Sequence, residues 1–140
     1  MNAIVIYESL TGNTKKAAQL VGQELTAAGV GATVCSITLV DYQALADADL
    51  VIVGTWTDGI VFFGQRPGRA GRIRTMPTLV GKRAAVFCTY AVDQGKTLQK
   101  LSAIVQARGA EVIGGMAIRR TNIKDGVADF VDRVLNAVAA

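Results

Sequence analysis

The chain has 140 residues, of which 51% are hydrophobic, and carries a formal net charge of +4. This length and composition predict one domain, residues 1–140, with enough apolar side chains to form its own core. No apolar stretch reaches the ~18 residues of a membrane span, no charged leader precedes an apolar segment, and histidine is absent. We therefore expect a cytoplasmic protein with no histidine-based catalytic set and no imidazole metal ligand.

Strand and helix patterns alternate along the chain. Residues 3–7 form an apolar, β-branched run typical of a strand, and a helical pattern over about 14–28 ends at Gly29. The later predicted elements are strands near 32–37, 50–53, 83–88 and 112–118, a short helix near 42–46, a helix at 95–108 and an amphipathic helix with its apolar face over 127–138. This alternation predicts a parallel sheet with right-handed crossovers.

The turn between the first strand and the first helix contains three hydroxyls, one carboxamide and one glycine, in the order Ser9, Leu10, Thr11, Gly12, Asn13, Thr14. Amides at a helix N-terminus point outward and carry partial positive charge, which suits a phosphate. Each charge-assisted hydrogen bond contributes roughly 1.5–3 kcal/mol, so four or five neutral donors hold a phosphate without a buried cation. The alternative is an ordinary helix cap at Asn13 or Thr14 after a polar loop.

Two further polar segments follow predicted strands. Gly54, Thr55, Trp56, Thr57, Asp58 and Gly59 come after the third strand, and Thr89, Tyr90, Ala91, Val92 and Asp93 come after the fourth. A tryptophan at a strand end beside glycines is poorly placed for core packing and offers a π face to a flat heterocycle. The alternative is a tryptophan folded over the edge of the domain.

All three segments resemble the flavin loops of flavodoxins. Ser-x-Thr-Gly-Asn-Thr is similar to the family's phosphate loop, Ser/Thr-x-Thr-Gly-x-Thr, and Thr-Trp-x-x-Gly is similar to the segment that holds the isoalloxazine ring. The resemblance covers essentially the whole chain and is to short-chain flavodoxins. It implies an α/β fold, a flavodoxin-like doubly wound sheet of five parallel strands in the order 2-1-3-4-5, with helices on both faces and FMN bound at the carboxyl ends of the strands.

The resemblance also implies a role for each segment. Residues 9–14 would hold the FMN phosphate through side chains and amides. Trp56 would stack on the ring, while Thr55, Thr57, Asp58 and Gly59 would run along its edge and residues 89–93 would line the opposite side. Two positions depart from the family pattern: Val92 stands where many members have an aromatic residue, and Thr57 stands where members often have a small one.

A basic segment, residues 60–83, is unusual for this family, whose familiar members are mostly acidic. It contains Phe62, Phe63, six Lys or Arg residues and no acid. One interpretation is a solvated connection with scattered arginines. The others are docking of an acidic redox partner protein, or a grip on an anionic substrate or phosphate. Cations beside the ring would also favour the addition of electrons to it. Nucleic acid is disfavoured because the net charge is modest.

Three functions remain open at this point. The first is a non-enzymatic electron carrier with bound FMN. The second is an FMN-dependent oxidoreductase acting on a quinone, a porphyrinogen or a similar flat acceptor, and the third is a domain of this fold that has lost flavin. The lack of histidine and of a recognisable acid–base pair favours the carrier, with no catalytic side chain and no metal site.

Gly95-Lys96-Thr97 matches only the second half of a nucleotide P-loop, since Tyr90 stands where its leading glycine belongs.

Overall fold

The computed structural model describes residues 1–60 and 63–140; Val61 and Phe62, which belong to the basic segment, lie outside the described residues. The strands are β1 (Asn2–Tyr7), β2 (Gly31–Ser36), β3 (Leu50–Ile60), β4 (Phe63–Pro67), β5 (Arg83–Tyr90) and β6 (Glu111–Arg119). The helices are α1 (Asn13–Ala27), α2 (Tyr42–Asp47), α3 (Ala70–Arg74), α4 (Thr97–Ala107) and α5 (Ile123–Ala139), with a 3₁₀ turn at Ile37–Leu39. None of the helices in these ranges combines the length and the apolar character that crossing a bilayer requires.

Five strands form a parallel sheet in the order β2-β1-β3-β5-β6, and β4 pairs with β3 alone. The predicted order 2-1-3-4-5 is confirmed, because it is the same order once the additional strand β4 is left out. In the centre of the sheet Ile4 lies opposite Thr33 and Val51, and Val51 lies opposite Ala84. All five carboxyl ends therefore meet at one edge.

Apolar side chains alternate between two cores, one on each face of the sheet. Val5 and Phe87 belong to the core beneath α1 and α5, whereas Ile4 and Val86 belong to the core beneath α2, α3 and α4. Successive residues of a strand point to opposite faces, so a strand covered on both sides must be apolar throughout. Phe87 meets Phe130 of α5 edge-on, with ring centroids 5.6 Å apart.

The segment after Val53 differs from its prediction as a loop. β3 continues to Ile60 and turns back into β4 as an antiparallel hairpin, with Thr57 opposite Pro67 and Asp58 opposite Arg66. Tryptophan and threonine favour strands, and the positive φ of +103° at Gly59 accommodates the register shift that follows Asp58. Ten of the 24 residues of the basic segment thus belong to β4 and α3 rather than to an open connection.

Candidate functional site

The polar turn after β1 is organised around the Ser9 hydroxyl. Its oxygen accepts hydrogen bonds from the amides of Gly12 and Lys15, both at 3.2 Å. Gly12 precedes α1 with φ +98°, a left-handed conformation that glycine adopts without strain. The amides of Asn13 and Thr14 have no hydrogen-bond partner within the described residues, as is usual for the first turn of a helix. They are free to bind an anion.

A hydroxyl pair joins the first polar segment to the third. Thr14 and Thr89 are both almost fully buried, and their side-chain oxygens are 2.8 Å apart. One residue lies at the start of α1 and the other near the end of β5, so this bond holds the two segments at a fixed separation. Buried hydroxyls without such a partner would cost free energy.

Trp56 is held by the chain that follows the hairpin. Gly68 donates its amide to the Trp56 carbonyl at 2.8 Å and accepts from the Thr55 hydroxyl at 2.8 Å. A Cβ atom at Gly68 would lie 2.1 Å from the indole ring, which means that the backbone of Gly68 rests directly on the ring. The guanidinium carbon of Arg69 lies 5.5 Å from the ring centroid, a cation–π distance. Trp56 is therefore a fixed wall of the site.

Glu8, the residue directly after β1, is buried with 3% of its surface exposed. Its carboxylate accepts from Arg69 at 2.8 Å and from Arg72 at 3.2 Å. Arg69 keeps this contact with a φ of +47°, a conformation that non-glycine residues seldom adopt. The pairing attaches the start of α3 to the end of β1 and places Arg69 over Trp56, and it accounts for two of the arginines of the basic segment.

The third polar segment is fixed by Arg119, the last residue of β6, and by Arg120, which follows it. The Arg119 guanidinium lies 5.2 Å from the Tyr90 ring centroid and donates to the Ala91 carbonyl at 3.4 Å. Arg120 donates its backbone amide to the Tyr90 carbonyl at 2.8 Å. Val92, which replaces the aromatic residue of many flavodoxins, is 67% exposed.

The three segments enclose one cavity of about 190 Å³ at the carboxyl ends of the strands. It is lined by Leu10, Thr11, Asn13, Thr14, Trp56, Thr57, Thr89, Tyr90, Ala91 and Arg120. Nine of these residues belong to the predicted site.

The other predicted residues do not line the cavity. Ser9 and Gly12 shape the first turn, and Thr55 is buried against Gly68. Asp58 pairs with Arg66 at 3.3 Å on the hairpin, and Gly59 lies at the register shift that follows Asp58. Asp93 accepts from the Gly95 amide at 3.3 Å, and Val92 is exposed.

Arg120 is the cavity residue that the sequence analysis missed. It follows β6, which neighbours β5 at the edge where the other polar segments lie. The rule that ligands bind beyond the carboxyl ends of parallel strands could have drawn attention to it. The prediction of a phosphate site made of neutral donors did not consider this cation, which lines the same cavity.

Neither cysteine is suited to nucleophilic chemistry. Burial raises the pKa of the Cys88 thiol to about 12, an effect that the nearby Thr57 hydroxyl partly offsets. Burial also raises the pKa of Cys35, an effect that a hydrogen bond from the Asp41 backbone partly offsets. Both cysteines are free. A thiol with a raised pKa stays protonated at neutral pH, so the reactive thiolate is scarce.

Comparison with known proteins agrees with this arrangement. The family model described as a flavodoxin domain matches residues 4–136. No curated protein matches the chain. A flavodoxin of Streptococcus pneumoniae TIGR4 has a similar structure, with a TM-score of 0.74, 21% identity and coverage of 97% of this chain and 99% of that one.

Two other solved structures give the same result. Flavodoxin 1 of Bacillus cereus has a TM-score of 0.72 and 22% identity, with 99% of this chain and 98% of that one covered. A flavodoxin variant of Pseudomonas aeruginosa has a TM-score of 0.76 and 15% identity, and both chains are covered completely, at 100% each. At these identities the likeness concerns the fold, and the family model carries the assignment. Because that model spans nearly the whole chain, the protein belongs to the flavodoxin family, whose members bind FMN and transfer electrons.

Proposed function

We propose that this protein is an electron carrier that holds FMN in the cavity between the turn after β1, the end of β3 and the segment after β5. The observation that carries this proposal is the convergence of the free α1 amides with Trp56 and Tyr90 on one cavity. The donors suit a phosphate, and the two aromatic side chains suit a flat ring. When bound, FMN supplies one-electron and two-electron exchange through its ring.

Different residues of the cavity would contact different parts of FMN. Thr11, Asn13 and Thr14, together with the free amides at the start of α1, would receive the phosphate. Trp56 and Tyr90 would contact the ring from positions that Arg69 and Arg119 help to fix. Thr57 and Ala91 line the remaining wall. The two free cysteines support a cytoplasmic location, where thiols stay reduced.

Trp56 allows a direct test, because it is the single tryptophan of the chain. We expect FMN added to apoprotein to quench the tryptophan fluorescence with one-to-one stoichiometry, and freshly purified protein to be yellow and to release FMN. Riboflavin should bind more weakly, since it lacks the phosphate. Absence of quenching and of calorimetric heat with FMN would contradict the proposal. Turnover of NAD(P)H or a quinone without a partner would instead support the oxidoreductase.

We further propose that the redox partner protein presents an acidic surface to cations that form no ion pair of their own in the described part of the chain. Within the described residues, Arg66 pairs with Asp58, and Arg69 and Arg72 share Glu8. Exposed Arg74 of the basic segment has no ion-pair partner in these ranges, and neither do Lys15 and Lys16 at the start of α1. Lys15 and Lys16 directly follow the cavity residue Thr14, so they support docking of an acidic partner at the face that holds the cavity. Arg74, which belongs to the basic segment, lies with α3 on the other side of the sheet.

Two small oxidants of opposite charge test the sign of the electrostatic attraction without the natural partner protein. We expect oxidation of the reduced protein by ferricyanide to slow as ionic strength rises from about 10 to about 200 mM, because salt screens the attraction. Oxidation by hexaammineruthenium(III) should accelerate over the same range. Replacing Lys15, Lys16 and Arg74 with glutamine should flatten both dependences. A ferricyanide rate that increases with salt would rule out an acidic partner at this face.

A further inference from the structure

We propose that Arg120 is the cationic group that recognises the phosphate of bound FMN. This inference rests on the proposed FMN site and assigns to it a residue outside the three polar segments. Among the residues that line the cavity, Arg120 is the one with a charged side chain. The phosphate site of this protein is therefore cationic rather than neutral.

The position of Arg120 supports contact with the phosphate end of the cavity. Its amide is tethered to the Tyr90 carbonyl at 2.8 Å, and α5 begins three residues later at Ile123. α5 packs beside α1 on one face of the sheet. Arg120 thus lines the cavity together with Asn13 and Thr14 at the start of α1.

Arg119, the last residue of β6, and Arg120, the residue after it, have different environments. Arg119 is engaged with the Tyr90 ring and the Ala91 carbonyl. The guanidinium of Arg120 makes no hydrogen bond or ion pair within residues 1–60 and 63–140, and the residue is exposed. A guanidinium that is not committed to another carboxylate or carbonyl can form a bidentate contact with phosphate oxygens.

The neutral donors of the first turn are partly used within the protein. The Ser9 hydroxyl oxygen accepts hydrogen bonds from the amides of Gly12 and Lys15, and the Thr14 hydroxyl is hydrogen-bonded to the Thr89 hydroxyl. The Asn13 side chain donates to the Thr11 hydroxyl at 3.3 Å. Fewer hydrogen-bond donors are thus free to bind the phosphate dianion than the motif suggests. The positive charge of Arg120 offsets part of the free-energy cost of removing water from the phosphate.

Arg120→Gln tests the assignment when the dissociation constants of FMN and riboflavin are both measured by Trp56 quenching. We expect the FMN constant to rise about tenfold, which corresponds to about 1.4 kcal/mol, because the arginine is partly hydrated. Riboflavin affinity should stay unchanged, and the salt dependence of FMN binding should weaken. Lys124→Gln removes an equal charge from the exposed first turn of α5 and should alter neither constant.

Two results would overturn the assignment, and they are distinguishable. An Arg120→Gln variant that loses affinity equally for riboflavin and FMN places the guanidinium at the ring rather than at the phosphate. Unchanged dissociation constants for both FMN and riboflavin remove Arg120 from recognition altogether. If the unaltered protein binds neither flavin, the proposed function fails together with this inference.

Discussion

Gly68→Val is expected to reduce FMN affinity about 100-fold and to lower the free energy of unfolding by about 2–3 kcal/mol. A Cβ atom at this position would lie 2.1 Å from the Trp56 ring, so the ring has to leave its place at the cavity wall. FMN affinity falls because the aromatic contact with the flavin is lost. Fluorescence titration with FMN measures the first effect, and urea unfolding followed by circular dichroism measures the second.

Gly71→Ala is the matched control for this prediction. It lies three residues further along the same segment, and a Cβ atom there has no neighbour within 4 Å. Since Gly71 is inside α3, alanine should be neutral or slightly stabilising. If Gly68→Val bound FMN as tightly as Gly71→Ala, Trp56 would not be held by Gly68 in the way described.

Glu8→Gln should destabilise the protein by about 2 kcal/mol, somewhat less than the loss of a fully buried ion pair. The carboxylate is buried, but its partners Arg69 and Arg72 keep 39% and 51% of their side chains exposed, so water stabilises them in part. We also expect a more positive reduction potential for the bound flavin, because two cations near Trp56 would lose their counter-charge. Thermal unfolding and a redox titration provide the two measurements.

Asp58→Asn is the control for Glu8→Gln, because it also removes the carboxylate of an ion pair. Asp58 and Arg66 also form an ion pair, at 3.3 Å, but their side chains are 44% and 60% exposed. Such pairs contribute at most about 1 kcal/mol. Equal stability losses in Glu8→Gln and Asp58→Asn would show that burial of Glu8 has no energetic consequence and that the attachment of α3 is weaker than proposed.

The parts of this structure that could be predicted are those encoded by local patterns. Apolar runs such as 50–53 and 83–88 gave the parallel strands, and glycines such as Gly29 marked helix ends. The strand order followed once the phosphate-loop pattern was identified. Nine residues of the three polar segments line the cavity because parallel strands end at a common edge.

The parts that could not be predicted depend on contacts between distant residues. Glu8 meets Arg69 and Arg72 across 61 and 64 positions of sequence, and no local pattern indicates that pairing. β4 and α3 have five residues each, too few for a periodicity to be recognised. The rule on carboxyl ends points to the turn after β6, but the packing of α5 beside α1, and not residue spacing, brings Arg120 to the same cavity as the start of α1.

The hairpin of β3 and β4 has a consequence for how fast a ligand can be captured. Trp56 stands on a strand paired with β5 on one side, opposite Thr89, and its carbonyl is paired with the Gly68 amide. The conformational entropy of Trp56 and its backbone is therefore lost when the chain folds and not when the ligand binds. Cofactor uptake should resemble docking onto a preorganised surface, with little backbone rearrangement between the empty and the loaded protein.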